Sequence, residues 1–300
     1  MAQDAAPGAP FGRVLTAMVT PFTSDGALDL DGAARLSDSL VRQGNDGLVV
    51  SGTTGEAPTT SDEEKSELVR AVVDAVGGRA HVVAGVGTHN TAHSVELARA
   101  AEKAGATGLL AVTPYYSRPP QAGVVAHTLA VARATSLPVM LYDIPGRTGL
   151  ALTHETLVTL AQDEQVVAVK DAKDDLGATS RLIAETGLPV YCGTDQLNLP
   201  LLAIGAVGAV SVVSHVITPQ LVQMFDAFAA GDVTRARALH LLLQPIYAGL
   251  FRNQGVILTK AALTLVGTPV GPVRLPLVEA TESEIAVLTQ DLIAGGVALA

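Results

Sequence analysis

The chain of 300 residues has a single cysteine and only 19 basic residues against 29 acidic ones. With Cys192 alone, no disulfide can form within the chain, and such sparse cysteine usage fits a reducing cytosol. The net charge of −10 argues against nucleic acid or an anionic membrane as a partner. We therefore expect a cytoplasmic protein that binds neither.

Residues 1–10 contain no basic residue and no apolar core. They lack the features of a signal peptide, and we predict a flexible tail over residues 1–12. Residues 196–225 carry no charged side chain, but prolines and glycines such as Pro200 and Gly205 interrupt the stretch. A membrane span needs roughly 20 mostly apolar residues. This stretch instead predicts a short helix, a buried strand and a loop.

Eight short apolar runs alternate with helix-like segments. We predict strands at Val14–Val19, Gly47–Ser51, His81–Val86, Gly108–Val112, Pro138–Tyr142, Val166–Lys170, Pro189–Cys192 and Ala209–Val213. Strands reached through helices indicate parallel βα units, and eight of them indicate a closed (β/α)8 TIM barrel in the α/β class. We place the barrel at residues 13–231 and a small C-terminal helical domain at 232–300.

A doubly wound open sheet is the alternative fold. Its dinucleotide loop has no good counterpart here, because Asn90 stands where the third glycine after Gly85 and Gly87 belongs. We therefore expect no dinucleotide cofactor.

Lys170 ends the apolar run Val166–Val169. A buried strand end solvates an ammonium poorly, which favours the neutral amine, a nucleophile toward carbonyls. The alternative is a lysine that extends into water. The other four lysines lie on helix-like segments or, for Lys173, in a loop.

Other candidate residues follow the ends of other strands, where a βα-barrel places its active site. Thr53 and Thr54 lie in a loop of small residues that suits a carboxylate, although a simple capped turn is the alternative. Tyr142 can transfer protons at the barrel mouth. Arg147 can bind a carboxylate at two points, unless it pairs with Asp143 or Asp171.

Three further features carry less weight. Tyr115 and Tyr116 stand out among few aromatic residues, yet they could serve loop packing or an interface. Cys192 has no evident base beside it and reads as a buried apolar residue. His89 and His93 lack neighbouring ligands at metal spacing, so we expect no metal site.

An amine, a phenol, hydroxyls and two anion sites at one rim suit a 2-oxo acid. The amine would condense with the ketone, and the iminium would act as the electron sink. This chemistry needs no metal and no cofactor.

The chain resembles the dihydrodipicolinate synthase family of the pyruvate-dependent class I aldolase superfamily. The resemblance covers nearly the whole chain after the tail. It is carried by Thr20-Pro21-Phe22, Gly52-Thr53-Thr54-Gly55-Glu56, Thr113-Pro114-Tyr115-Tyr116, residues 142–148, Val169-Lys170-Asp171 and Arg274-Leu275-Pro276.

The resemblance implies a catalytic set of four residues. Lys170 would form the Schiff base with pyruvate, and Tyr142 would donate and accept protons. Thr53 would link Tyr142 to Tyr116, which in this family comes from a neighbouring subunit of a homotetramer.

The resemblance also implies how substrates bind. Thr54 would hold the pyruvate carboxylate, with Gly193 and Val210 lining the pocket. Arg147 would receive the carboxylate of L-aspartate 4-semialdehyde. The implied reaction is the first step toward diaminopimelate and lysine.

Many family members are inhibited by lysine at a dimer-interface site. Asp62, Lys65, His89 and His93 occupy the corresponding positions here, and Lys65 and the two histidines suit an ammonium group poorly. We predict weak or no lysine inhibition. Two other functions stay open: another Schiff-base aldolase, such as N-acetylneuraminate lyase or a 2-keto-3-deoxy-sugar-acid aldolase, and a paralogue that only binds an oxo acid.

Overall fold

The computed structural model describes residues 8–300, and its eight strands form one parallel barrel. The strands are β1 (Val14–Ala17), β2 (Gly47–Val50), β3 (His81–Gly85), β4 (Gly108–Val112), β5 (Val139–Asp143), β6 (Val166–Asp171), β7 (Val190–Cys192) and β8 (Gly208–Ser211). Each strand pairs with the next along the chain, and β1 also pairs with β8, which closes the barrel. The predicted (β/α)8 fold is confirmed.

Helices connect the strands and continue after them. Those up to β8 are α1 (Leu30–Arg42), α2 (Asp62–Val76), α3 (Thr91–Lys103), α4 (Gln121–Ala132), α5 (Pro145–Thr148), α6 (His154–Leu160), α7 (Leu176–Thr186) and α8 (Asn198–Ala203). Those after β8 are α9 (Ser214–Ala229), α10 (Val233–Leu242), α11 (Gln244–Leu250), α12 (Gly255–Leu265) and α13 (Glu282–Ala294).

Local sequence fixes where the helix after β2 begins and ends. The Ser61 hydroxyl accepts from the N–H of Glu64, and the Glu64 carboxylate accepts from the N–H of Ser61. This capping box satisfies two free donors of the first turn. Gly77 ends α2 in the left-handed region, at φ 56°, where a side chain would cost energy.

The barrel has two apolar layers. One fills its interior, with Met140, Ala168 and Val210 among its members. The other lies between strands and helices and includes Val169. Since side chains alternate across a strand, Lys170 shares the inward face with Ala168.

The end of the predicted tail belongs to the barrel. The first seven residues of that tail lie outside the described part of the chain, but Phe11 is fully buried. Its ring meets His81 edge-on at a centroid distance of 5.7 Å, and its N–H donates to the Tyr191 hydroxyl at 3.0 Å. Phe11 therefore covers the amino-terminal end of the barrel, and a flexible tail over all of 1–12 is wrong at this residue.

The segment before Pro219 is helical, whereas the sequence predicted a loop there. α9 starts at Ser214, and its backbone departs from helical geometry at Ile217. Pro219 is tolerated because it falls in the first turn after this kink. Among the helices of residues 8–300, none has both the length and the apolar character that a transmembrane helix requires.

Candidate active site

Lys170 lies at the carboxyl end of β6 and is 4% exposed. The predicted burial is confirmed, and the alternative of an amine extended into water is wrong. The Nζ atom lies 4.2 Å from the centroid of the Tyr142 ring. The amine therefore has an aromatic face beside it and little access to bulk water.

Strand register places the phenol next to the amine. Tyr142 of β5 is the direct partner of Lys170 of β6, and Val112 of β4 is the partner of Tyr142 on the other side. Residues paired across parallel strands point to the same face, so both side chains enter the barrel mouth. The Tyr142 side chain is itself buried.

The two threonines form a tight turn after β2. The N–H of Glu56 donates to the Thr53 carbonyl at 3.2 Å, and the N–H of Ala57 donates to the Gly52 carbonyl at 3.2 Å. Thr54 is buried and Thr53 is half-buried. In the described chain no hydrogen bond joins the Thr53 hydroxyl to Tyr142, so the predicted relay stays a prediction.

A cavity of about 380 Å³ opens at this rim. Thr53, Tyr142 and Arg147 line it together with Thr148 and Ile144. The structure thus brings three predicted site residues to one cavity, next to the buried Lys170. The volume suits a small metabolite.

Arg147 belongs to the short helix α5 and is exposed. It forms no ion pair with Asp143 or Asp171 within residues 8–300, so the pairing offered as an alternative is wrong. The partner of Asp143 is Lys173, with Nζ 3.3 Å from Oδ2. Arg147 is thus an exposed arginine that lines the cavity.

The buried Asp143 carboxyl has a raised pKa and contacts two different loops of the site. Burial raises its pKa from 3.8 to about 6, and the Lys173 ammonium opposes that rise. Its Oδ1 accepts from the N–H of Leu152 at 3.2 Å, so the carboxylate joins the end of the Arg147 loop to the loop after β6. Sequence reasoning recognised both charges but did not pair them, because the pair joins two different loops.

Gly193 packs against Lys170, and neither Gly193 nor Val210 is among the residues that line the cavity. A Cβ on Gly193 would lie 2.9 Å from the Asp171 carbonyl oxygen and 3.1 Å from Cγ of Lys170. Val210 is buried in the barrel interior. The neighbouring Cys192 is also buried, and its thiol donates to the Thr194 carbonyl at 3.0 Å. Its burial agrees with the predicted role as a buried apolar residue.

The two tyrosines after β4 differ in exposure. Tyr115 is half-buried and lines the cavity, where its ring meets His89 edge-on at 5.3 Å. Tyr116 is 91% exposed and has a left-handed φ of 67°. Such a backbone is uncommon outside glycine, and at this exposure the side chain packs little against its own barrel.

Basic side chains also line this cavity, among them Lys65 and His93. His93 Nε2 lies 2.8 Å from Asp62 Oδ2, and Lys65 donates to the Thr60 carbonyl at 2.5 Å. Burial lowers the pKa of Lys65. Within residues 8–300, no three histidine, cysteine or carboxylate side chains are grouped as metal ligands.

Sequence reasoning missed a buried acid between β7 and β8. Asp195 accepts from the Ser211 hydroxyl at 2.5 Å and from the N–H groups of Val212 and Val213 at 2.9 and 3.1 Å. It ties the loop that follows Gly193 to the end of β8. Its place just after a strand end was the available signal.

The fold and the site together define a (β/α)8 enzyme built around a buried strand-end lysine. Residues 10–294 match the model of the Dihydrodipicolinate synthetase family. The chain therefore belongs to this family, and the family predicted from the sequence motifs is confirmed.

Curated relatives agree with the family. The chain is 63% identical over 299 residues to 4-hydroxy-tetrahydrodipicolinate synthase 2 of Streptomyces coelicolor, covering 100% of both chains. It is 65% identical over 288 residues to the 4-hydroxy-tetrahydrodipicolinate synthase of Acidothermus cellulolyticus, covering 96% of this chain and 94% of that one. The activity in these names is the one that the motifs predicted.

Solved structures of similar proteins share the fold. Dihydrodipicolinate synthase from Bacillus anthracis has a TM-score of 0.93 at 42% identity, covering 94% of this chain and 98% of that one. The enzyme from Cyanidioschyzon merolae, solved with lysine bound, also has a TM-score of 0.93 at 42% identity, covering 95% and 98%.

Proposed function

We propose how this chain, an enzyme of the dihydrodipicolinate synthetase family, carries out the 4-hydroxy-tetrahydrodipicolinate synthase reaction. The substrates are pyruvate and L-aspartate 4-semialdehyde. The observation that carries the proposal is the buried Lys170 amine, 4.2 Å from the Tyr142 ring centroid beside the cavity. No metal and no cofactor take part in the proposed mechanism.

In the first half-reaction the Lys170 nitrogen attacks the ketone carbon of pyruvate. A C–N bond forms, and the ketone oxygen leaves as water after it has gained two protons. Tyr142 supplies and accepts protons at this stage, since its phenol adjoins the amine. Thr54 holds the pyruvate carboxylate, while Gly193 and Val210 bound the space for its methyl group.

In the second half-reaction the pyruvate methyl carbon loses a proton and becomes an enamine. This carbon attacks the aldehyde carbon of L-aspartate 4-semialdehyde, and the new alkoxide takes up a proton. The amino group of the same substrate then attacks the iminium carbon, closing the ring and releasing Lys170. Arg147 binds the carboxylate of this second substrate, since it lines the cavity and a guanidinium can bind a carboxylate at two points.

The second-substrate assignment is tested with aldehydes of different chemistry. With pyruvate present, we expect turnover with L-aspartate 4-semialdehyde and none with N-acetylmannosamine or glyceraldehyde. Arg147→Leu should raise the KM for the semialdehyde at least tenfold. Arg181→Leu is the matched control, because Arg181 lies on α7 beside Glu185. Turnover confined to the sugars, or an unchanged KM in Arg147→Leu, would overturn the assignment.

We also place Tyr116 in the site of a neighbouring subunit, within a homotetramer. The 91% exposure of its side chain and its left-handed backbone support this placement. Two inactive variants test it: Lys170→Ala and Tyr116→Phe. In a mixed dimer, the Tyr116→Phe chain keeps its own Lys170 and receives Tyr116 from its partner.

Co-expression of the two variants should therefore restore activity well above that of either alone. If Tyr116 acted within its own chain, neither site of the mixed dimer would be complete and activity would stay absent. Sedimentation of the purified enzyme tests the tetramer directly. A cytoplasmic location belongs to the same proposal, as expected for a biosynthetic enzyme.

Weak lysine inhibition also stays a prediction. Lys65, His89 and His93 line the cavity together, and a lysine ammonium placed there would be repelled by the Lys65 ammonium and would find no carboxylate on these three side chains. We expect less than half-inhibition at millimolar lysine. Half-inhibition at submillimolar lysine would contradict this.

A further inference from the structure

Glu56 ends the turn that carries Thr53 and Thr54, and residues from the C-terminal part of the chain bind its carboxylate. Glu56 is 2% exposed, and its Oε1 lies 2.8 Å from Nζ of Lys260, which is 4% exposed. The contact is an ion pair rather than an aligned hydrogen bond. The other carboxylate oxygen of Glu56, Oε2, accepts from the N–H of Arg274 at 2.8 Å. Both partners belong to the C-terminal helical segment.

The backbone at Glu56 needs such support. Its φ of 53° lies in the left-handed region, which is unfavourable for a side chain other than glycine. The preceding Gly55 is held as well, because its carbonyl accepts from the Thr20 hydroxyl at 2.6 Å. The turn that presents Thr53 and Thr54 is thus fixed by contacts outside itself.

The two basic residues that contact Glu56 also pack against one aromatic ring, that of Phe22. Nζ of Lys260 and Cζ of Arg274 lie 4.3 and 4.1 Å from the centroid of the Phe22 ring. Arg274 also pairs with Glu64 of α2 through two contacts of 2.6 and 2.8 Å. Since α2 follows the turn, the C-terminal segment is bonded both to the end of the turn and to the helix after it.

The mechanism proposed above uses none of these charges. Burial lowers the pKa of Lys260, and Glu56 opposes that shift, so the pair is retained despite the cost of desolvation. Lys260 is the one charged residue of helix α12, and a charged side chain is rarely so fully buried unless it is paired. Because desolvation offsets most of the attraction in a buried ion pair, we explain this pair by a need to fix the geometry of the turn rather than by a gain in folding stability.

We propose that Glu56 and Lys260 are positioning residues, through which helix α12 holds the Thr53–Thr54 turn in the geometry that captures pyruvate. The inference rests on the proposed role of Thr54 in binding the pyruvate carboxylate. Without the Lys260 cation, the buried Glu56 carboxylate must gain a proton or move toward water. Either change displaces the turn, whereas Arg147 on the loop after β5 stays in place.

The test is a split between the two substrates. In Lys260→Met we expect the KM for pyruvate to rise at least tenfold, with the KM for L-aspartate 4-semialdehyde within twofold of wild type. Lys260→Arg, which keeps the cation, should recover most of the loss. A merely structural defect would lower kcat by reducing the active fraction and leave both KM values unchanged.

Two further variants keep the test decisive. Glu56→Gln keeps the acceptor for the Arg274 N–H and loses only the charge, so it should raise the pyruvate KM at least threefold even if Lys260→Met fails to fold. Arg252→Met is the control, because it breaks the pair with Asp291 in the same helical segment without touching the turn. It should leave both KM values within twofold.

Thr54→Val separates the two proposals. If it leaves the pyruvate KM unchanged, the proposed role of Thr54 is wrong. If it raises that KM while Glu56→Gln and every folded Lys260 variant stay within twofold, only the positioning role is overturned. A fall in kcat alone in the Lys260 and Glu56 variants would overturn it as well.

Discussion

Gly193→Ala places one methyl group against the reactive lysine. The added Cβ would lie 2.9 Å from the Asp171 carbonyl oxygen, 3.0 Å from Cβ of Ala172 and 3.1 Å from Cγ of Lys170. Real Cβ atoms almost never approach a neighbour that closely. The backbone oxygen belongs to strand β6 and yields little, so residue 193 itself has to shift, and the Lys170 side chain that packs against it has to move as well.

The size of the effect follows from packing energies. Overpacking by a methylene typically costs about 1–3 kcal/mol. If about 1.4 kcal/mol of that cost falls on the reactive position of the amine, Schiff-base formation slows roughly tenfold. Misplacement of a reacting group by about 1 Å can cost roughly 100-fold. We therefore expect a loss between roughly 10-fold and 100-fold, with the fold retained.

The assay is the rate of borohydride-trapped pyruvate adduct, with circular dichroism to confirm folding. Gly146→Ala is the matched control, because a Cβ at Gly146 meets nothing within 4 Å although it precedes Arg147. That variant should trap pyruvate at the wild-type rate. Wild-type trapping in folded Gly193→Ala would refute the packing of Gly193 against Lys170.

Two predictions concern pH. Burial lowers the pKa of His215 from 6.5 to about 4, and its Nε2 accepts from the N–H of Val19, so the folded chain loses stability as pH falls below 6.5. Between pH 7 and 5 wild type should lose about 2 kcal/mol more than His215→Gln in urea unfolding, and equal losses would contradict this. Burial raises the pKa of Asp143 to about 6, so ionisation of this carboxyl lowers the folding stability as pH rises toward 6. Lys173→Met removes the cation that opposes this rise, so the loss of stability should continue above pH 6. We expect this variant to weaken relative to wild type from pH 6 to 8, unlike the exposed control Lys103→Met, and a pH-independent difference would count against the pairing.

The sequence predicted the barrel well because its signal is local. Short apolar runs with glycines and caps between them define parallel strands, and the strand ends fall within a few residues of the predicted ones. The site residues followed from one rule, that catalytic groups in this fold lie where strands end. Lys170 and Tyr142 obey it and lie side by side.

The missed features depend on distant parts of the chain. Glu56 was noticed in its motif, but its partner Lys260 is remote in sequence and lies on a helix where a lysine usually faces water. The packing of Phe11 was missed for a similar reason, because its partner Tyr191 lies 180 residues away. No local pattern reports such contacts, since they arise only when the barrel closes.

The central claim is that the Lys170 amine captures pyruvate. Borohydride reduction with pyruvate, followed by peptide mass analysis, tests it most directly. One reduced pyruvate should be found per chain, on the peptide that contains Lys170, and Lys170→Arg should carry none. An adduct on another lysine, or no adduct in an enzyme that turns over, would contradict the account.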